Sequence, residues 1–176
     1  DATPRAAFAA PKPVPARRDA PGWYRGDLHC HTHHSDAKGS PGLLHETALG
    51  LELDFLAVTD HNTTSQWQYF GPNSTPDLIF VPGMEVTTYR GHANLFGLKD
   101  WIDFRLGGSH DLDELVAEAR RQGALLSVNH DKEPLPWDYD YPDMDCMEVY
   151  HGHWLTGNDR ILTTYDRLLG EGRRIS

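Results

Sequence analysis

Cysteine is almost absent: Cys30 and Cys146 are the only two among 176 residues. Two cannot build a disulfide framework. Each lies in an apolar, strand-like run, so a pair of buried free thiols is expected. Long apolar runs are missing as well. No stretch approaches the roughly 20 residues that a membrane-spanning helix needs, so the chain reads as soluble, with no compartment assigned. Basic charge is scarce: 16 lysines and arginines stand against 26 acids, a formal net charge of −10. That balance excludes the basic footprint of an extended nucleic-acid binder. Internal repeats are lacking, and nothing signals an oligomeric state. A length of 176 residues suits one domain of ~100–200 residues. Asp1, not methionine, opens the chain, which reads as processing or a fragment.

What is present falls into two parts. Over residues 1–21, Pro4, Pro11, Pro13, Pro15 and Pro21 alternate with alanines and with Arg17, Arg18 and Asp19, without helical or strand period. Such a stretch buries too little apolar surface to offset its ordering entropy, and reads as a linker or arm. Residues 22–176 form the folded domain. A strand is expected over 23–30. Ser40-Pro41 then supplies an N-cap with proline at the first helical position, and the helix through Leu43, Leu44, Thr47 and Ala48 ends near Gly50. The apolar run over 54–59 predicts a strand buried on both faces. Residues 78–81 and 84–87 suggest another, broken or bent at Pro82-Gly83, and 92–98 a fourth. Asp111 and Glu114 resemble a capping box for a helix with a Leu112, Leu115, Val116, Ala119 stripe that stops at Gly123. Strands over 124–129 and 146–150 follow. A last helix spans 158–169, with Ile161, Tyr165 and Leu168 on one face. This alternation predicts an α/β fold with a mainly parallel sheet or barrel.

Seven potential metal ligands punctuate this domain: His29, His31, Asp36, His61, Glu85, His92 and His130. Imidazole nitrogen and carboxylate oxygen suit zinc, manganese or iron, and sites of this kind hydrolyse substrates when one coordination position stays open. On a strand His29 and His31 share a face while Cys30 points the other way. Most of these residues end predicted strands or follow them, where α/β enzymes build active sites. His92 is the exception, near the start of its strand.

The motifs Asp27-Leu28-His29-Cys30-His31-Thr32, Ser35-Asp36, Thr59-Asp60-His61-Asn62, Pro82-Gly83-Met84-Glu85-Val86-Thr87, Gly91-His92-Ala93-Asn94-Leu95, Val128-Asn129-His130 and Met147-Glu148-Val149 occur in order over roughly 22–151. Together they resemble the PHP (polymerase and histidinol phosphatase) family, in its branch of small phosphoesterases and carbaryl-hydrolase-like proteins. The resemblance implies a distorted (β/α)7 TIM-like barrel with two or three divalent ions (zinc, manganese or iron) at its mouth. It implies a first ion on His29, His31 and Glu85, a second on Glu85, His92 and His130, and a third on Asp36 and His61. Two departures stand out. The family's late Ser-Asp-x-His would follow Arg173-Arg174-Ile175-Ser176, so the chain reads as C-terminally truncated, with the last strand of the barrel lacking. Asp131 also replaces a proline that often follows the histidine matching His130.

The implied activity is a phosphoesterase acting on a small phosphorylated substrate, a phosphomonoester or small phosphodiester. Metal-bound hydroxide would attack phosphorus, and a bridging Glu85 would fix the metal separation. Asp60 and Glu148 are expected to orient ligand imidazoles through their ring N–H groups. Lys132, Arg90 and Arg25 are phosphate-binding candidates by their proximity to the motifs. His33, His34, His45, His110, His151 and His153 read as surface histidines. Trp137, Tyr139 and Tyr141 read as a lid or as the barrel rim. The alternatives are an ester or carbamate hydrolase on the same site, or a non-catalytic metal-binding module.

Overall fold

Sequence pattern becomes structure most directly at the first helix. Ser40 takes an extended backbone, its hydroxyl accepts the Leu43 N–H at 3.1 Å, and Pro41 fills the first helical position. A missing N–H costs nothing there, and α1 runs Pro41–Gly50 as expected. The computed structural model describes residues 21–107 and 109–176, without the side chains of Ser109 and His110. Apart from Pro21, the arm expected over 1–21 lies outside the described residues.

The chain groups into two compact units. One comprises the described residues up to Met84 together with Phe96–Trp101. The other comprises Glu85–Leu95 and Ile102–Ser176.

In the first unit, β1 (Gly26–Cys30) pairs in parallel with β2 (Phe55–Val58), and β2 with β3 (Ile79–Thr88). Leu56, Val58, Phe70, Leu78, Phe80 and Ala48 form the apolar core under this sheet, with Cys30, Leu44, Leu53 and Tyr69 packed against it. The β1–β2 register shifts between Asp27 and Cys30, next to the His-x-His motif. Irregularities of this kind re-aim side chains beside sites. A second helix, α2 (Trp67–Asn73), was not expected from the sequence, and it contains Gly71 and Pro72, residues of poor helix propensity. Tertiary contacts override that weak propensity. Trp67 and Phe70 are buried, and the Gln66 amide and Trp67 indole donate to the Gly83 carbonyl at 3.1 and 3.2 Å.

Of the break or bend expected at Pro82-Gly83, the break does not occur: β3 is continuous across it. Pro82 makes the last register pair with β2, opposite Val58, so its missing N–H falls at the end of that ladder. Its carbonyl accepts the Gly97 N–H at 2.7 Å.

In the second unit the end of β3 returns through Tyr89 and Arg90 into β4 (Gly91–Phe96). A two-residue connection makes the strands antiparallel. His92, at the start of β4, therefore sits at the end where β3 finishes, which removes its exceptional status. Gly91 has φ 141°, and a Cβ there would lie 2.7 Å from the Trp137 ring, so glycine is required. α3 (Ser109–Gln122), β5 (Leu125–Val128), β6 (Cys146–Met147) and α4 (Asn158–Gly170) complete the unit. Asp111 lies inside the first turn of α3 and accepts the Gly107 N–H; it is not the cap. The strand expected over 146–150 is only Cys146–Met147, parallel to β5. Ser176 exchanges backbone hydrogen bonds with Asp145 (2.9 Å) and Met147 (3.1 Å). The hydrogen-bonded strand order is β1-β2-β3-β4-β5-β6, giving a mixed α/β fold with a six-stranded sheet. Among the described residues, no helix is long and apolar enough to cross a membrane.

Candidate metal centre

The period of β1 separates two chemistries. Cys30 turns into the apolar core, where its thiol donates to the Ala57 carbonyl at 3.3 Å and burial pushes its pKa up, aided by Asp27 and Asp60. Cys30 and Cys146 are both free and partly buried. His29 and His31 point the other way, with ring centroids 5.1 Å apart. His31 stacks on His61 at 4.4 Å, and His61 Nε2 lies 3.5 Å from Asp36 Oδ2. One nitrogen or oxygen from each of His31, Asp36 and His61 falls within 4.8 Å of the others.

Asp36 reaches this position because its loop is tied down. Asp60, completely buried, accepts the Thr32 N–H (2.7 Å), the Thr32 hydroxyl (2.8 Å) and the Ser35 hydroxyl (2.7 Å). Backbone bonds from Ser35 and Ala37 to the Thr32 carbonyl close the turn. Asp60 thus organises the ligand loop by way of Thr32 and Ser35. Both hydroxyl residues stand within the quoted motifs, but the sequence assigned them no role.

In the second unit Glu85, on β3, is fully buried. Its Oε1 lies 3.3 Å from His92 Nδ1 and 3.3 Å from His130 Nε2, and accepts the Asn129 amide at 2.9 Å. The rings of His92 and His130 meet edge to face at 5.0 Å. His130 holds φ at 26°, a region that costs a non-glycine residue on the order of 1–3 kcal/mol. Its backbone N–H donates to Glu148 at 2.9 Å, and Asn129 N–H bonds the His92 carbonyl at 3.0 Å. Glu148 therefore holds the main chain of His130 in this conformation.

Each of the cationic candidates has a partner within the protein. Lys132 is buried, and its ammonium donates to the His151 carbonyl (2.5 Å), Thr156 Oγ1 (2.9 Å) and Asn158 Oδ1 (3.5 Å). Arg90 bonds the Asp138 carboxylate and carbonyl and stacks over Tyr139 at 4.3 Å. Arg25 pairs with Glu52 at 3.8 Å. The aromatic segment is anchored by Asp131, which accepts the Trp137 N–H at 2.8 Å and the Tyr141 hydroxyl. Burial, and then this hydrogen bond, raise the Tyr141 pKa above its ordinary value. Two of the surface histidines are half-buried: His45 packs edge-on to Phe80 at 5.2 Å, and His34 Nδ1 pairs with Ser65 at 2.7 Å. His151 is exposed, yet its ring lies 4.8 Å from that of His130.

The donor chemistry fits a divalent cation. Every group is an imidazole or carboxylate, the ligands that zinc, manganese and iron accept. The side chains of His31, Asp36 and His61 bring their ligand atoms close enough together to converge on one ion.

No family model matches the chain, and no curated protein matches it. Solved structures do. A two-domain protein from Bacteroides vulgatus, containing a predicted PHP-like metal-dependent phosphoesterase, aligns with a TM-score of 0.62 at 19% identity. The alignment covers 86% of this chain, which spans only 50% of that protein. A predicted metal-dependent phosphoesterase from Bifidobacterium adolescentis aligns with a TM-score of 0.56 at 16% identity, over 84% of this chain and 85% of that one. The chain shares its fold with PHP-like metal-dependent phosphoesterases.

Proposed function

We propose that the chain is a metal-dependent phosphoesterase that hydrolyses a phosphomonoester or a small phosphodiester. The convergence of His31, Asp36 and His61 within 4.8 Å carries this reading. These three would hold one divalent ion, and Glu85, His92 and His130 another. A part for His29 in holding an ion with its neighbour His31, and the sharing of Glu85 between ions, are what the resemblance of the motifs implies. So is the distorted (β/α)7 barrel. Bound divalent ions acidify coordinated water to a pKa of about 7 and neutralise phosphoryl oxygens.

The chain's own residues supply the geometry. Asp60 holds the loop that carries Asp36, and Asn129 fixes the Glu85 carboxylate by its amide. Glu148 grips the main chain of His130. The excess of acids, 26 against 16 basic residues, favours a small anion over a polyanion, which repulsion would keep away. Elemental analysis of the protein for zinc, manganese and iron tests the reading. Two or more ions per chain are expected, with His31→Ala and Glu85→Ala each losing at least one. A wild type that carries and takes up no metal would refute it.

A further inference from the structure

Residues 151–156 are all exposed, yet their backbone is gripped from beneath by two buried side chains. Asn158 is fully buried; its Oδ1 accepts the His151 N–H at 2.8 Å, and its amide donates to the carbonyls of His153 (3.0 Å) and Trp154 (3.2 Å). Lys132, 7% exposed, donates to the His151 carbonyl at 2.5 Å and to Thr156 Oγ1 at 2.9 Å. His151 is thus held at both of its backbone polar groups. Gly157 has φ 87°, and a Cβ there would press on Lys132 Cβ at 3.4 Å, so glycine lets the chain pass over the lysine.

Burying an ammonium against neutral oxygens is expensive in desolvation, and an apolar side chain would fill the space without that cost. What the ammonium adds is a fixed loop. Exposed loops are ordinarily the mobile part of a fold, and those that bind are positioned by a rigid scaffold. This loop carries the His151 ring to 4.8 Å from that of His130, one of the ligands proposed above. An imidazole can hydrogen-bond an oxygen or a proton donor through its ring nitrogens, and this one is exposed beside His130.

We infer that His151 contacts the substrate, and that Lys132 and Asn158 are positioning residues that hold it there. This rests on the phosphoesterase reading. Lys132 then acts on the substrate through His151, since its ammonium is already turned to the loop.

The test is a double-mutant cycle read as kcat/KM for 4-nitrophenyl phosphate on the metal-loaded protein. His151→Ala is expected to lower kcat/KM about 10- to 100-fold, the scale of one hydrogen bond to a charged group, with metal content and Tm unchanged. Lys132→Met should lower it too, and the double variant should be no worse than the worse single one. Losses that multiply would show Lys132 acting on the substrate independently, and an unchanged kcat/KM in His151→Ala would show no contact; either overturns the inference. Thr156→Val, a milder change at the loop surface, should give a smaller loss that vanishes in the His151→Ala background. A readout without turnover is the ring signals of nitrogen-15 histidine in the zinc-loaded protein as inorganic phosphate is added. The His151 signals, identified by their absence in His151→Ala, should shift. Shifts at other histidines with none at His151 would overturn the inference. If no histidine responds and no turnover is seen, the phosphoesterase reading fails, and this inference with it.

Discussion

Replacing Asp60 by asparagine should loosen the loop that carries Asp36, a proposed metal ligand. The carboxylate is completely buried and accepts three hydrogen bonds of 2.7 to 2.8 Å, two from Thr32 and one from Ser35. Asparagine keeps one acceptor oxygen but turns an NH2 group towards a donor. Thr32 is itself fully buried, so a donor stranded there cannot turn to water. A lost hydrogen bond to a charged group is worth about 1.5–3 kcal/mol, and a stranded buried donor costs about 1–3 kcal/mol. The two descriptions overlap, so the expected loss is about 2–4 kcal/mol, a large share of a domain stability of ~5–15 kcal/mol. Asp36 sits at the end of the tethered loop, 3.5 Å from His61, so freeing the loop should weaken zinc binding as well, by about tenfold or more. Urea denaturation of the metal-free protein measures the first effect, and competition with a chromogenic chelator the second. An Asp60→Asn protein with wild-type midpoint and wild-type zinc affinity would refute the reasoning.

Other outcomes follow from the same geometry. Leu56→Ala, at a side chain 1% exposed in the first unit's core, should cost about 2–5 kcal/mol by chemical denaturation while leaving metal affinity intact. Tyr141 holds its proton more tightly when folded, because of burial and then its bond to Asp131. Its contribution to stability is complete below its ordinary pKa of 10.0 and is lost as pH rises above that value. Tyr141→Phe should therefore flatten the alkaline limb of a stability–pH curve, and an unaltered limb would contradict the assignment. Gly91→Ala should lower Tm, since the added methyl group meets Trp137 at 2.7 Å in a backbone of φ 141°; an unchanged Tm would show that the turn relaxes freely.

Local signals made part of this structure legible. Ser40-Pro41 announces α1 because its capping chemistry acts within four residues. The apolar run of β2 and the two-residue period of His29 and His31 carry their own geometry. Longer-range features did not show. α2 exists because Trp67 and Phe70 find burial and Gly83 lends its carbonyl, none of which Gly71-Pro72 discloses. β3 passes Pro82 unbroken because the β2 ladder happens to end there. Proximity to motifs suggested Lys132 and Arg90 as phosphate ligands, but the partners that engage them, His151 and Asp138, lie 19 and 48 residues further along the chain. The grip of Asp60 on Thr32 likewise spans 28 residues. A motif names the residues of a site, while their partners are set by the fold.

The most direct test of the central claim is hydrolysis of 4-nitrophenyl phosphate by protein stripped with a chelator and then reloaded with manganese or zinc. The account predicts negligible turnover when stripped, recovery on adding metal, and no recovery in His61→Ala or Glu85→Gln. Full metal loading without turnover, or turnover that survives stripping, would contradict it.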